Sequence, residues 1–593
     1  MSSFSVTGKK WILRKFNSTD LTFIKDNFFL DEITSKLLAI KKIKKEDINN
    51  YLNPVLKNIL PNPSILTDME KTVERTFRAI KKKEKIGIFG DYDVDGATST
   101  AILGKYFSQI NHSYEIYIPD RKSEGYGPSK QGFQKLINKG TKLIFTVDCG
   151  TLSFEPINFA YQNKIDILVL DHHQSDVKLP KAFSIVNPNR FDDRSELNYL
   201  CAAGVCFMFL IALNRELRKN NWFKDNNVSE PNLINFLDLV SLGTVCDVVP
   251  LIGVNRAIVK QGLKILNFKK NIGLKSLIDI CKIENHPTPY HLGYIIGPRI
   301  NAGGRVGKCS HGANLLLNEN PKNSFKLASE LDQFNKERQL LEKNLLKNVL
   351  NSVKNLSDPV LILDGQEWHE GIIGIIASRI KEKYNKPTII ISITDKVGKA
   401  SARSVVGYDI GSIIISAVQS GILIKGGGHK MAGGFTIEKN KIDQFKEYAI
   451  NKFKTLNIEI SEEKKILIDS IISPTAINMN FFNKVNNLAP FGSGNSEPRF
   501  FIESVVAVNS KIVGEKHIKS VLLGEDGSTI KTIAFNATES DIGAYLMNKS
   551  KKPFNIVGKL SLNEWRGQKN VEFIIDDISV NKYEKNMVPS SIG

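Results

Sequence analysis

Apolar positions along the chain follow three successive patterns. Upstream of about residue 255, short apolar runs alternate with stretches of helical spacing. The runs 86–89, 143–147 and 165–170 are almost wholly apolar, interrupted only by Thr146 and Asp166, which predicts strands buried on both faces, as in a parallel sheet. From 323 to 355 the chain has almost no Gly or Pro, and Leu327, Leu331, Phe334, Leu341, Leu345, Val349 and Val353 recur at helical spacing. That predicts one long amphipathic helix. A second alternating unit follows, with strands at 360–363 and 388–393, a helix at 371–380, and a turn at Gly426-Gly427-Gly428. Beyond residue 465 the pattern becomes a series of short β-type runs at 500–502, 505–508, 519–523, 532–535, 554–557 and 571–575. Runs this short and close together predict a small barrel, with an OB-fold the economical choice.

The expected fold class is therefore α/β and multidomain. A lysine-rich lead-in (1–55) precedes a parallel-sheet domain (56–320) and a connecting helix (321–357). A second α/β domain (358–464), a C-terminal OB-type β-barrel (465–582) and a tail (583–593) complete the chain.

Charge narrows the partners. The net charge is +19 over 593 residues, and a basic excess of that size attracts polyanions, nucleic acid foremost. The chain is also rich in Lys, Asn and Ile, so part of the excess is compositional. All six cysteines lie between Cys149 and Cys309 and no CxxC pair occurs. This argues against zinc ribbons and thioredoxin chemistry and fits a reducing cytoplasm. The amino terminus has no apolar core of a signal peptide. The longest apolar run, 199–213, is shorter than the ~18 residues a membrane span needs, so no membrane is expected. No GxxxxGK[ST] occurs, so ATP use is not expected.

The chemistry concentrates where the apolar runs stop. The run 86–89 leads into Gly90-Asp91-Tyr92-Asp93-Val94-Asp95-Gly96, the run 143–147 into Asp148, and the run 165–170 into Asp171-His172-His173. Asp247 follows the apolar segment 236–246. Asp alone also suits turns and helix N-caps. Yet carboxylates packed this densely repel one another, and a divalent cation offsets that cost. Carboxylates with one or two imidazoles suit Mn²⁺ or Mg²⁺. The carboxyl edge of an open parallel sheet is where such sites are built.

These motifs, in this order, resemble the DHH phosphoesterase superfamily. Within it they are most similar to the branch of bacterial single-strand-specific 5′→3′ DNA exonucleases. Gly297-Pro298-Arg299-Ile300-Asn301-Ala302-Gly303-Gly304-Arg305, Ser401-Ala402-Arg403-Ser404, Gly426-Gly427-Gly428-His429 and Leu488-Ala489-Pro490-Phe491-Gly492-Ser493-Gly494-Asn495 fit the same branch. The resemblance implies two divalent metal ions, with Asp93 on the first, Asp95, His172 and Asp247 on the second, and Asp148 bridging. It leaves Asp91 as ligand or orienting partner and puts His173 beside the scissile phosphate, so both count as catalytic candidates. Arg121, Arg299, Arg305, Ser401, Arg403 and His429 become substrate-binding candidates. Trp565 and the barrel phenylalanines either stack on bases or fill the core. Relatives with a His four residues before Asp93 differ from this chain, which has Phe89 there. The implied protein is a cytoplasmic monomer acting on single-stranded DNA in repair and recombination, with a single-strand-binding protein and a RecQ-type helicase as further partners. The competing readings are a DHH phosphodiesterase for short RNA or cyclic dinucleotides, and a non-catalytic single-strand-binding scaffold. The barrel argues against the first and the complete carboxylate set against the second.

Overall fold

Five parallel strands organise the first half of the protein. In spatial order they are Tyr114–Tyr117, Ile86–Gly90, Leu143–Val147, Asp166–Leu170 and Ser184–Val186. The computed structural model describes residues 5–121, 123–284, 286–352, 357–456, 464–548, 552–565 and 567–580. Every residue of the 86–90 and 143–147 strands is buried, because helices cover both faces. Val94–Gln109, Ala202–Lys219 and Leu237–Cys246 pack on one side around Phe107, Phe145 and Phe209. Lys130–Asn138 and Phe154–Gln162 pack on the other around Phe89, Phe133 and Ile157. The chain runs from the 86–90 strand outward to 114–117 and then back to 143–147. Strand order therefore reverses beside 86–90, which opens a crevice at the carboxyl ends of these strands. The apolar run before Asp247 is a helix, Leu237–Cys246, not a strand. The edge strands 114–117 and 184–186 are short and carry no strong apolar signal in the sequence.

The long helix spans Pro321–Ser352, and Val353 lies outside the described residues. It leads to a mixed five-stranded sheet ordered Lys425–His429, Ala432–Glu438, Val397–Arg403, Thr388–Thr394, Leu361–Gln366. Here the structure corrects the expected Gly-rich turn. Gly426-Gly427-Gly428 is an edge strand paired antiparallel with 432–438. Glycine is needed for close packing, since a Cβ at Gly426 would lie 2.7 Å from both Ile414 and Phe435. The helix Ile410–Gln419 can thus lie directly on the hairpin.

The C-terminal strands Phe500–Val513, His517–Gly524, Thr529–Ala534, Gln568–Ser579 and Phe554–Trp565 pair in that order and close through 500–513 against 554–565. The two runs expected at 500–502 and 505–508 are one strand, bent by irregularities after Ile502 and Ala507. Phe500, Phe501, Phe554 and Phe573 are buried in the core. The side chain of Trp565 and the 583–593 tail lie outside what is described.

The lysine-rich lead-in is built into this barrel. Lys10–Leu13 pairs parallel with Lys465–Ile468, and the Trp11 indole donates to the fully buried Asp577 at 3.0 Å. Ile24, Leu37, Leu38, Ile48 and Tyr51 share one core with Phe500, Ile518 and Phe573. Arg256, from the helix Gly253–Asn267, ties this assembly to the parallel-sheet domain. It is 1% exposed. Its guanidinium donates to the carbonyls of Tyr51 (2.8 Å), Leu488 (3.0 Å), Ala489 (2.9 Å) and Pro490 (3.4 Å), and lies 3.9 Å from the Tyr51 ring centroid.

The barrel is consequently not a detachable module. Deleting residues 465–593 would expose the apolar faces of the helices Ser18–Phe28 and Glu32–Ile40 and leave Arg256 buried with most of its acceptors gone. Arg256→Ala is expected to destabilise the full chain by about 2–4 kcal/mol, since it takes the donor from the Tyr51 and Ala489 carbonyls, while Asn495 still reaches those of Leu488 and Pro490. Denaturant unfolding followed by intrinsic fluorescence measures this. A change below about 0.5 kcal/mol would show that the carbonyls are satisfied without the guanidinium.

Candidate metal and nucleotide site

The 86–90 strand delivers its carboxylates through a tight strand-to-helix turn. Asp93 is the N-cap of the helix 94–109, its carboxylate accepting from Gly96 N at 3.0 Å. Asp95 sits in the first helical turn and is 1% exposed. Its two oxygens accept from Ala202 N (2.7 Å) and Ala203 N (3.0 Å), the first amides of the helix 202–219. A helix N-terminus favours an anion there. The Leu237–Cys246 helix approaches closely because residue 243 is glycine: a Cβ there would stand 2.6 Å from Asp95 Oδ1. Asp247 follows as the C-cap of that helix. Asp148 ends the 143–147 strand in the left-handed region, at φ 60°, a conformation that Asp and Asn tolerate better than most residues.

Asp171 holds the two histidines. It is 1% exposed and accepts from His172 N (2.8 Å), His173 N (3.2 Å) and His173 Nδ1 (2.7 Å) through one oxygen, and from Thr151 N and Oγ1 (3.1 and 2.7 Å) through the other. Asn187 donates to the carbonyl of His173 at 2.8 Å and Asn189 to that of His172. Both asparagines follow the last strand of the sheet. Their place just after a strand end is the signal the sequence carries for them.

The result is a dense knot of acid. His172 Nε2 lies 3.4 Å from Asp148 Oδ1, 3.6 Å from Asp247 Oδ2 and 3.8 Å from Asp95 Oδ2. That nitrogen is buried with no hydrogen-bond partner, as is Asp91 Oδ1. Asp95, His172 and Asp247 offer donor atoms within 4.8 Å of one another, and so do Asp91, Asp93 and Asp148. Ligand atoms about 2.1 Å from a shared cation stand roughly 3.0–3.4 Å apart, so the knot is slightly expanded for that purpose. The donor set of hard carboxylates and one imidazole fits Mn²⁺ or Mg²⁺. Asp91 completes the group with Asp93 and Asp148, whereas Phe89 packs against Phe133 and Tyr117 on the far face of the sheet.

Electrostatics agree with a cation-requiring knot. Burial, then the neighbouring carboxylates, push Asp148 and Asp91 well above the ordinary range; burial also raises Asp95. Asp247 is raised to about 8 by burial and by Asp95 and Asp93. Burial acts to lower His173, but the Asp171 hydrogen bond and charge outweigh it and raise the ring to about 9. His173 Nε2 lies 3.2 Å from the Tyr126 hydroxyl, which also donates to the Asp148 carbonyl at 3.2 Å. Tyr126 was not among the residues expected from the sequence.

Next to the knot opens a cationic cleft of about 850 Å³ between the parallel-sheet domain and the second sheet. Arg121, Arg305, Lys399, Ser401 and Lys425 line it. Arg403 bonds Ser401 Oγ at 3.4 Å. Burial, and after it the charges of Arg121, Arg338 and Arg403, lower Arg305 to about 10. Such crowding of guanidinium groups suits an anion. Lys399 and Lys425 were missed, because they come from two separate strands. Two expected substrate residues are elsewhere. Arg299 is committed to Asp332 (2.9 Å) and the Ile295 carbonyl (2.7 Å), bracing its helix on the long helix. His429 is exposed at the hairpin end, where it accepts from Met431 N at 3.3 Å, and does not line the cleft.

Comparison with known proteins agrees with this architecture. The chain matches the DHH family N-terminal domain over residues 85–244, the DHHA1 domain over 357–455 and the RecJ OB domain over 468–577. It is 33% identical over 540 residues to the single-stranded-DNA-specific exonuclease RecJ of Escherichia coli K12, covering 88% of this chain and 92% of that one.

The chain belongs to the RecJ family.

Among solved structures, RecJ from Thermus thermophilus in complex with Mn²⁺ superposes with a TM-score of 0.79 at 24% identity, covering 97% of this chain and 80% of the other. A RecJ exonuclease bound to manganese superposes at 0.58 with 29% identity, covering 68% and 97%. Among the described residues no helix is long and apolar enough to cross a membrane.

The raised acids give a testable pH dependence. A group whose folded value is raised holds a proton that the unfolded chain has released, so its stabilising contribution is lost as pH rises. For the carboxyls the window runs from about 4, the ordinary carboxyl value, to about 8 for Asp247; His173 acts in the same direction up to about 9. The thermal midpoint of metal-free protein should therefore fall between pH 5 and 8. Mn²⁺ should raise the midpoint more at pH 8 than at pH 6. A midpoint gain from Mn²⁺ that is independent of pH would contradict the raised values.

Proposed function

We propose that this RecJ-family chain is a metal-dependent, single-stranded-DNA-specific exonuclease that removes mononucleotides from the 5′ end. The observation that carries the reading is the buried, unpartnered His172 Nε2 among Asp95, Asp148 and Asp247, beside a cleft crowded with Arg and Lys. Relatives named as single-stranded-DNA-specific exonucleases, and a RecJ structure described as bound to manganese, support it.

Asp91 and Asp93 would hold one ion, Asp95, His172 and Asp247 the second, and Asp148 both. Two such ions, Mn²⁺ or Mg²⁺, supply charge neutralisation at the phosphoryl oxygens and an activated water. The protein's part is positional. Asp171 holds the His173 ring through Nδ1 and the His172 backbone through its amide, so that His172 would present Nε2 to the ions while His173 turns Nε2 toward the Tyr126 hydroxyl. Protonated near neutral pH, His173 holds a proton that the departing 3′-oxygen needs when the P–O3′ bond breaks. Arg121, Arg305, Ser401 and Arg403 would receive the 5′-terminal phosphate, which places the first internucleotide phosphate over the carboxylates. Each cut leaves a new 5′-phosphate, so the same cleft serves every cycle. The barrel, with its fused lysine-rich lead-in, would guide the remaining strand by backbone charge and stacking. Repair and recombination would follow as the setting, with a single-strand-binding protein and a helicase as suppliers of single strand.

Asp148→Asn keeps a residue that tolerates the left-handed backbone but removes the shared charge. It should reduce hydrolysis of end-labelled single-stranded DNA to background with Mn²⁺ or Mg²⁺, while the metal-free protein is as stable as the parent or more so. Appreciable cleavage in excess Mn²⁺ would remove the two-ion assignment.

Arg403→Ala and Arg305→Ala should reduce the preference for 5′-phosphorylated over 5′-hydroxyl substrate about tenfold to a hundredfold, the worth of a charge-assisted contact of about 1.5–3 kcal/mol. Arg299→Ala should leave that preference intact and lower stability instead. Unaltered discrimination in both Arg403→Ala and Arg305→Ala would show that the cleft does not read the terminal phosphate.

A further inference from the structure

Two tyrosines stand exposed where nothing in the catalytic arrangement uses them. Tyr290 is 61% exposed and Tyr294 75%. Their rings are stacked, with centroids 5.3 Å apart and planes 26° from parallel. Large side chains side by side in solvent are the informative kind of apolar exposure. The backbone that carries them is also unusual. His291–Ile296 is a π-helix, a wide turn found mostly in short pieces and frequently at functional sites.

Position gives the pair its meaning. The π-helix packs on the last turn of the helix 237–246, with Cys246 Sγ donating to the Leu292 carbonyl at 3.3 Å. Asp247 is the next residue, so the tyrosines belong to the Asp95–His172–Asp247 side of the knot. The π-helix then continues into the helix Gly297–Val306, which carries Arg305 into the cationic cleft. Tyr294 lies in the π-helix, and Arg305 stands in the last turn of the helix 297–306 that continues it. The cleft side is the Asp91 side: the Arg121 guanidinium lies 5.5 Å from the ring of Tyr92, between Asp91 and Asp93. The order along the surface is therefore cationic cleft, Asp91–Asp93, Asp148, His172–Asp247, tyrosine pair.

We infer that Tyr290 and Tyr294 form a stacking platform for the first bases on the 3′ side of the scissile phosphate. This rests on the exonuclease reading above and adds a specificity element to it. With the terminal phosphate in the cleft and the scissile phosphate on the carboxylates, the strand continues past Asp247 toward the pair. An aromatic face accepts any base, so the platform is indifferent to sequence. It needs bases with free faces, so it favours a single strand over a stacked duplex.

The test uses 5′-phosphorylated oligonucleotides with 2-aminopurine second or third from the 5′ end, bound to full-length protein in chelator. Wild type and the Tyr290→Phe/Tyr294→Phe variant should quench the fluorophore, and Tyr290→Ala/Tyr294→Ala should not. In turnover with Mn²⁺, the alanine variant should show a KM on long single strands raised about tenfold, the effect of losing one base stack, with kcat nearly unchanged. Substrates abasic at positions two and three should erase the difference between alanine variant and wild type. Undiminished quenching in the alanine variant, or a KM defect that persists on the abasic substrate, would overturn the platform. If wild type itself cleaves no single-stranded DNA, the exonuclease reading fails. Cleavage with quenching unaffected by the alanines removes the platform alone.

Discussion

The rest of the structure is arranged around one electrostatic problem: Asp91, Asp95 and Asp148 are buried within reach of one another, with Asp93 and Asp247 at their edge. Burial and mutual repulsion both favour the protonated form, and a pair of divalent cations is the chemistry that reverses the preference. The fold holds the carboxylates in place against that repulsion by attaching each to rigid backbone. Asp93 caps a helix, Asp95 takes the first amides of another, Asp148 ends a buried strand in a left-handed conformation, and Asp247 caps a helix that only glycine at 243 lets approach. Asp171 solves the companion problem of aiming two adjacent imidazoles differently, by taking His173 Nδ1 together with both backbone amides on a single oxygen.

Opposite charge is gathered just as deliberately, but by a different device. The acidic knot comes from one sheet, whereas the cationic cleft is assembled from two. Arg121 and Arg305 come from the parallel-sheet domain, and Lys399, Ser401 and Lys425 from the mixed sheet. The long helix fixes the distance between them, and the Arg299–Asp332 pair braces it. Loss of that alignment would separate the cleft from the carboxylates without altering either. The third unit is fixed in turn by Arg256, a buried guanidinium satisfied by carbonyls alone. Planar, many-armed donors suit such a joint, because several acceptors can share one charge.

What the amino-acid sequence by itself determined was local. The strands at 86–90, 143–147 and 166–170 follow from short, mostly apolar runs, and the ligand-type residues after them follow from the chain's exit at one sheet edge. Order and type marked Asp91, Asp93, Asp95, Asp148, Asp171, His172, His173 and Asp247 as candidates, and the family resemblance sorted them into expected roles. The tertiary structure decided everything that depends on which face of an element meets which neighbour. Arg299 and Arg305 lie on one helix six residues apart, yet one is spent on Asp332 and the other lines the cleft, because 3.6 residues per turn point them in different directions. Gly426-Gly427-Gly428 reads as a turn until the helix 410–419 is seen lying against it. The lead-in reads as a separate piece until Trp11 meets Asp577, 566 residues away. Sequence spacing carries the periodicity of a helix or strand, but it does not carry the long-range contacts that fold entropy and apolar burial select.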